Sequence, residues 1–201
     1  MTRPHRAGLP GVPMHIVQRA TDRNACFRSD ADRSTYLAIL GYVAREQACR
    51  IHAYCLMTNH VHLLVTPADA TGCSALMKRL SQRYSYYFNR KHGRTGHLWE
   101  SRFRSSLVLS PEYVLACHRY IELNPVRAGM ATDPGAYAWS SCAGNIGTRA
   151  DGLIARHPDV LALGPGTYAA LLGEMREDNT FRQIRMATRS GQPLSRCQTT
   201  V

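Results

Sequence analysis

The stretch Asn59-His60-Val61-His62-Leu63-Leu64-Val65 places two imidazoles two residues apart. On a strand such residues share a face, so His60 and His62 stand side by side while Val61, Leu63 and Val65 point into a core. Neighbouring imidazoles repel when charged and suit a shared divalent cation when neutral. A His-x-His pair alone is more often an ordinary pair on a half-buried sheet, so a third donor decides its meaning. The run Cys117-His118-Arg119-Tyr120-Ile121-Glu122-Leu123-Asn124-Pro125 offers one. Tyr120 and Asn124 are four apart, one turn from each other on a helix face. The Asn124 carbonyl oxygen completes a mixed nitrogen–oxygen set with positions left for water or substrate, which suits Mg2+ or Mn2+ better than structural zinc. Asn just before Pro is equally an ordinary helix terminator. A phenol has an ordinary pKa of about 10; a cation beside Tyr120 would favour phenolate and draw charge from a bound phosphate. His60, His62, Asn124 and Tyr120 together make a phosphodiester-cleaving set.

These residues need a sheet and a helix to hold them. Met14 to Arg19 alternates as a strand does, and Ile51–Met57 and His60–Val65 read as two strands of a hairpin broken at Thr58-Asn59. Asp30 is a candidate cap for a helix running to about Cys49. A second helix covers roughly Cys73 to Lys91, with Gly93 as its stop, and Phe103–Leu109 reads as a fourth strand. Ser110 and Pro111 open a third helix, which Pro125 stops. The order β-α-β-β-α-β-α predicts an α+β domain: a ferredoxin-like antiparallel sheet with helices packed on it, spanning residues 1–130 with a basic N-terminal arm. Residues 131–201 read as an extension, with turns at Asp133-Pro134-Gly135 and Gly164-Pro165-Gly166 and helices near Tyr168–Met175 and Thr180–Ala187.

Composition narrows the partner. The chain has 201 residues and a formal net charge of +11, and its hydrophobic fraction of 44% excludes wholesale disorder. No apolar run approaches the ~18 residues of a membrane span, and the start of the chain lacks the apolar stretch of a secretory signal, so a cytoplasmic, nucleoid-associated location is expected. Seven cysteines without a C-x-x-C pair suggest neither a disulfide framework nor a zinc site. Lysine occurs only at positions 78 and 91. Arginine grips phosphate with two hydrogen bonds and stacks on bases, although a GC-rich genome produces the same bias.

The densest charge comprises Lys78, Arg79, Arg83, Arg90, Lys91, Arg94, Arg102 and Arg104, opposed only by Glu100 and interleaved with Tyr84, Tyr86, Tyr87 and Trp99. Cations for phosphates and rings for bases are what a single strand needs. Tyr84 shares a helix face with Tyr87 or Phe88 in the way core residues do, so the tyrosines read as packing residues with one or two available for stacking. His15, His52 and His97 are candidates for places near the site. The arm with Arg3, Pro4, His5 and Arg6, and the tail with Arg182, Arg185, Arg189 and Arg196, are candidates for further phosphate contacts.

The strings NHVHLLV, GHLWESRF and YIELNPVRAG, in this order and spacing, resemble the REP-associated tyrosine transposases, single-tyrosine members of the HUH endonucleases, from about Leu9 to Ser141. The resemblance implies His60, His62 and Asn124 as ligands of a divalent metal, where relatives in the wider group often carry Gln at the third position. It implies Tyr120 as a nucleophile toward single-stranded DNA bearing a hairpin, leaving a 5′-phosphotyrosine and a free 3′-hydroxyl that can be rejoined. Monomer and dimer both stay open. The chief alternative is a non-catalytic nucleic-acid-binding α+β module, against which the absence of a Phe/Tyr-rich strand motif speaks. A hydrolase using metal-bound water would need Glu122 as base, and Glu122 points about 160° away from Asn124 at ~100° per residue.

Overall fold

A computed structural model describes residues 8–173 and 179–195. The expected arm contacts at Arg3 to Arg6, the Met175 end of the expected helix near Tyr168–Met175, and Arg196 of the expected tail lie outside them. Four strands form one antiparallel sheet: β1 (Met14–Arg19), β2 (Cys49–Leu56), β3 (His60–Pro67) and β4 (Arg104–Leu107). Their order is β2-β3-β1-β4, the split pattern expected for the ferredoxin-like arrangement, with every neighbouring pair antiparallel.

Helices α1 (Asp30–Glu46) and α2 (Gly72–His92) cover one face. Ile16, Val61, Leu63 and Val65 enter this core with Leu40, Leu76 and Tyr84, all buried. The N-cap of α1 is Ser29 rather than Asp30. Its hydroxyl accepts from the Asp32 backbone N–H while the Asp32 carboxylate accepts from the Ser29 N–H, so both ends of the capping box are closed. Gly93 ends α2 in the left-handed region (φ 58°), where glycine carries no Cβ penalty.

The opposite face is covered by α3 (Pro111–Glu122), α6 (Pro158–Gly173) and α7 (Asn179–Ser190). Here Ala53, Cys55 and Leu64 from the sheet pack with Val114, Cys117, Tyr168, Phe181 and Ile184. The segment after residue 130 therefore shares its core with the sheet and α3. Ser110 caps α3 with Pro111 in the first turn, as expected.

Pro125 does not end the helical path. It opens a further turn, α4 (Asn124–Arg127), because a proline in a first turn forfeits no hydrogen bond. A short helix α5 (Cys142–Asn145) follows. The expected turn at Gly164 is a kink inside α6, with Gly164 at φ 73°. No helix among the described residues is long and apolar enough to cross a membrane.

Candidate active site on the second face of the sheet

Strand register decides which side chains share the site. Val17 lies opposite His62 and Arg19 opposite His60 across the β1–β3 ladder, and Val17 lies opposite Arg104 across β1–β4. With period two, His15, Val17 and Arg19 of β1, His60 and His62 of β3, and Arg104 and Ser106 of β4 all project from one face. The His60 and His62 ring centres are 5.0 Å apart at an interplanar angle of 75°. From above, α3 lowers Tyr120 onto them, its ring centre 5.5 Å from that of His62 and edge-on at 81°. Asn124 follows one turn later and donates its amide N–H to the Tyr120 carbonyl (2.7 Å), so its carbonyl oxygen is the end of the amide left for a cation. The four residues picked out by type and spacing thus meet in one cleft of about 490 Å3.

Both histidines are held neutral. Burial pushes His60 down to about 4, and the charge of Arg19 adds to it. Burial also drives His62 well below its ordinary value, with His60 and His15 contributing. A neutral imidazole is the ligand form. Asn59 fixes which nitrogen of His60 is bare. Its amide N–H donates to the Arg23 carbonyl (3.1 Å), so its oxygen faces His60 Nδ1 at 2.7 Å and that nitrogen must carry the proton. Nε2 of His60 is left with its lone pair. Two neutral imidazoles and an amide oxygen fit a divalent cation, and no carboxylate or thiol joins them in a ligand cluster among the described residues.

The nucleophile candidate is buried, with only 6% of its surface exposed. Burial raises its phenol pKa above the ordinary value, while Arg127 and Arg185 pull it down. The Arg127 guanidinium lies 5.4 Å from the Tyr120 ring centre and 5.3 Å from that of Phe181 of α7. Phe181 in turn packs edge-on against Tyr120 at 5.5 Å.

The cleft is strongly cationic. Arg19 of β1, Arg23 just after it, Arg102 shortly before β4, Arg104 at its start, Arg127 of α4, and Arg185 and Arg189 of α7 line it, with Glu100 as the single carboxylate among the described residues. Of the dense basic group expected to bind DNA, Arg102 and Arg104 are in this set, and so are Arg185 and Arg189, which the sequence offered as further phosphate contacts. Lys78, Arg79, Arg83, Arg90 and Lys91 belong to α2, and Arg94 follows directly, so this group sits on the helical layer behind the sheet. Arg79 and Arg83 pair with Glu46 (3.2 and 3.8 Å), and Lys91 pairs with Asp32 at 2.7 Å. Arg94 lies over Phe88 and Arg90 donates to the Tyr86 hydroxyl.

Trp99 stands differently from the expectation of a stacking platform. It is 9% exposed and packs beside Tyr36 and Tyr84 in the first core. Tyr84 is a core residue and its hydroxyl donates to the Cys26 carbonyl (2.6 Å), whereas Tyr86 is exposed. Of the other candidate histidines, His15 reaches the site, while His52 hydrogen-bonds Thr66 and the Ala155 carbonyl away from it. Glu122, weighed as a base, is fully buried beyond the site and accepts from Ser141, Asn145 and Tyr168.

Arg19, Arg23 and Arg127 escaped the sequence reading. Arg19 carries a signal in retrospect, being in the alternating set with His15 and Val17. Arg127 is seven residues after Tyr120, on the same helical face once Pro125 is read as opening a turn.

The fold and site thus define an α+β protein with a split antiparallel sheet and a cationic cleft that holds a tyrosine, two histidines and an amide. The transposase IS200-like family matches residues 10–124, and the chain belongs to that family, whose members act on DNA. The fold is similar to that of a REP-associated tyrosine transposase solved bound to a REP hairpin (TM-score 0.61, 17% identity, 79% of this chain and 90% of that one). A transposase-like protein of Deinococcus radiodurans R1 aligns over 60% of this chain and 96% of its own at 21% identity, with a TM-score of 0.42. No curated protein matches the chain in sequence.

Proposed function

We propose that this transposase is a metal-dependent, single-tyrosine nuclease and strand transferase acting on single-stranded DNA with a hairpin. The observation that carries the reading is the meeting of Tyr120, His62, His60 and Asn124 within one arginine-lined cleft. The similar fold of a transposase bound to a REP hairpin supports a palindromic substrate of that kind.

In this reading the Tyr120 oxygen attacks the scissile phosphorus, forming a P–O(Tyr) bond as the P–O3′ bond breaks. The phenol loses its proton and the departing 3′-oxygen gains one. The energy of the phosphodiester is kept in the phosphotyrosine, so attack by another 3′-hydroxyl reverses the step and joins new ends. Arg127 over the ring favours the phenolate, Phe181 holds the ring, and the seven cleft arginines bind and orient the strand through its phosphates. His60, His62 and Asn124 would hold the divalent metal, Mg2+ or Mn2+, which when bound draws negative charge from the scissile phosphate.

The test is a labelled single-stranded hairpin incubated with the protein and Mn2+ or Mg2+, then separated under denaturing conditions. A protein–DNA adduct that is lost with Tyr120→Phe and on chelation, while hairpin binding persists, is the expected result. Undiminished cleavage by Tyr120→Phe would sink it, and products free of protein would point to hydrolysis by water.

A further inference from the structure

His62 stands at the end of a hydrogen-bonded chain that begins in α7, beyond the residues the family match covers. Thr188 is buried on the inner side of α7, and its Oγ1 lies 2.8 Å from the Ile184 carbonyl. A carbonyl oxygen only accepts, so the single hydroxyl proton of Thr188 is committed there. The other neighbours of Thr188 Oγ1 must therefore donate to it: His15 Nδ1 at 2.8 Å and the Ser106 hydroxyl at 3.3 Å. With its proton on Nδ1, neutral His15 has a bare Nε2, which lies 3.1 Å from His62 Nδ1. The two ring centres are 5.4 Å apart, the spacing of two imidazoles that meet edge to edge through a 3.1 Å N–H···N bond. His62 Nδ1 is then the donor, and His62 Nε2 is the nitrogen with the lone pair.

We infer that Thr188 and His15 form a positioning relay that fixes the tautomer of His62, so that the C-terminal extension configures the cation site on the sheet. The inference rests on the metal-ligand reading given above. His15 is excluded as a ligand because both of its nitrogens are used inside the relay. Asn59 does the same for His60 by a separate route, so both imidazoles present Nε2. A histidine without such a partner divides its proton between two nitrogens, and only the fraction with the correct nitrogen bare can bind.

The relay is read directly from long-range 1H–15N correlation spectra of the metal-free, full-length protein labelled in histidine at pH 7.5, with His62 assigned by loss of its signals in His62→Ala. The wild type should show His62 protonated on Nδ1 and bare on Nε2; a proton on Nε2 overturns the inference without any further variant. Thr188→Val keeps the shape and removes the acceptor. It should spread His62 over both tautomers and weaken Mn2+ binding, measured by calorimetry, by roughly tenfold. Thr188→Ser should restore both. An unchanged His62 spectrum in folded Thr188→Val overturns the relay. If instead His62→Ala binds Mn2+ as tightly as wild type, the metal-ligand reading falls, and with it the relay's purpose, whatever the spectra show.

Discussion

The guanidinium of Arg127 lies over the ring of Tyr120 at 5.4 Å from its centre, with Tyr120 near the end of α3 and Arg127 seven residues later in the turn α4 that Pro125 opens. Burial opposes ionisation of this phenol, and Arg127 is first among the groups that favour it.

Replacing Arg127 with Gln removes that charge and leaves the burial. The phenol pKa then rises further above its ordinary value, so the limb of the pH–rate profile that follows phenolate moves to higher pH. Adduct formation at pH 8 should fall by roughly tenfold or more, and part of the loss should be recovered at pH 9.5. Single-turnover adduct formation across pH 7 to 10 checks this, and a uniform loss at every pH would count against a role in ionisation.

Phosphate contacts can be counted by salt. Arg102→Gln, Arg104→Gln and Arg189→Gln together remove three cleft cations, so the slope of log K against log salt for a single strand should shrink by about two, at about 0.7 per contact. The triple change Arg83→Gln, Arg90→Gln, Arg94→Gln should alter the slope less, because these residues sit behind the sheet and Arg83 already faces Glu46. Fluorescence anisotropy at several salt concentrations reads both.

Trp99→Ala tests whether that ring serves the core or the DNA. Removing a buried indole packed beside Tyr36 and Tyr84 should cost about 3–5 kcal/mol of stability, seen in urea unfolding. Single-strand affinity of the folded fraction should hardly change. A stable variant with weakened binding would reverse this assignment.

Glu122 ties α3 to the chain that follows it. Its carboxyl accepts from Ser141 and Asn145 on one oxygen (2.6 and 2.7 Å) and from Tyr168 on the other (2.6 Å). Glu122→Ala strands these partners in a dry interior and should destabilise by about 3 kcal/mol, measured by denaturant unfolding. Burial raises the Glu122 pKa in spite of those donors. The folded state therefore holds this proton more tightly than the unfolded chain. Stability from it is fully present below the unfolded value of 4.5 and is lost as pH rises toward the folded one. Comparing wild type and Glu122→Gln between pH 4 and 7 isolates this slope, which the Gln variant should lack.

The four strands, the first three helices and the four residues of chemical interest are legible in the sequence. Period-two alternation marks β1 and β3, Ser110-Pro111 marks the start of α3, and the spacing of Tyr120 and Asn124 places them one turn apart. Those are local properties, set by backbone geometry within a few residues. Which cations face the site depends on packing between distant segments. Chain proximity grouped Lys78 to Arg104, but α2 packs on one face of the sheet while Arg104 of β4 projects from the other, so two of those residues enter the cleft while Arg19, Arg127, Arg185 and Arg189 reach it from distant segments. Strand register and the seating of α7 also brought His15, Thr188 and His62 into one hydrogen-bonded line. Such meetings depend on packing between residues more than 40 and more than 170 positions apart, and no sequence period encodes them.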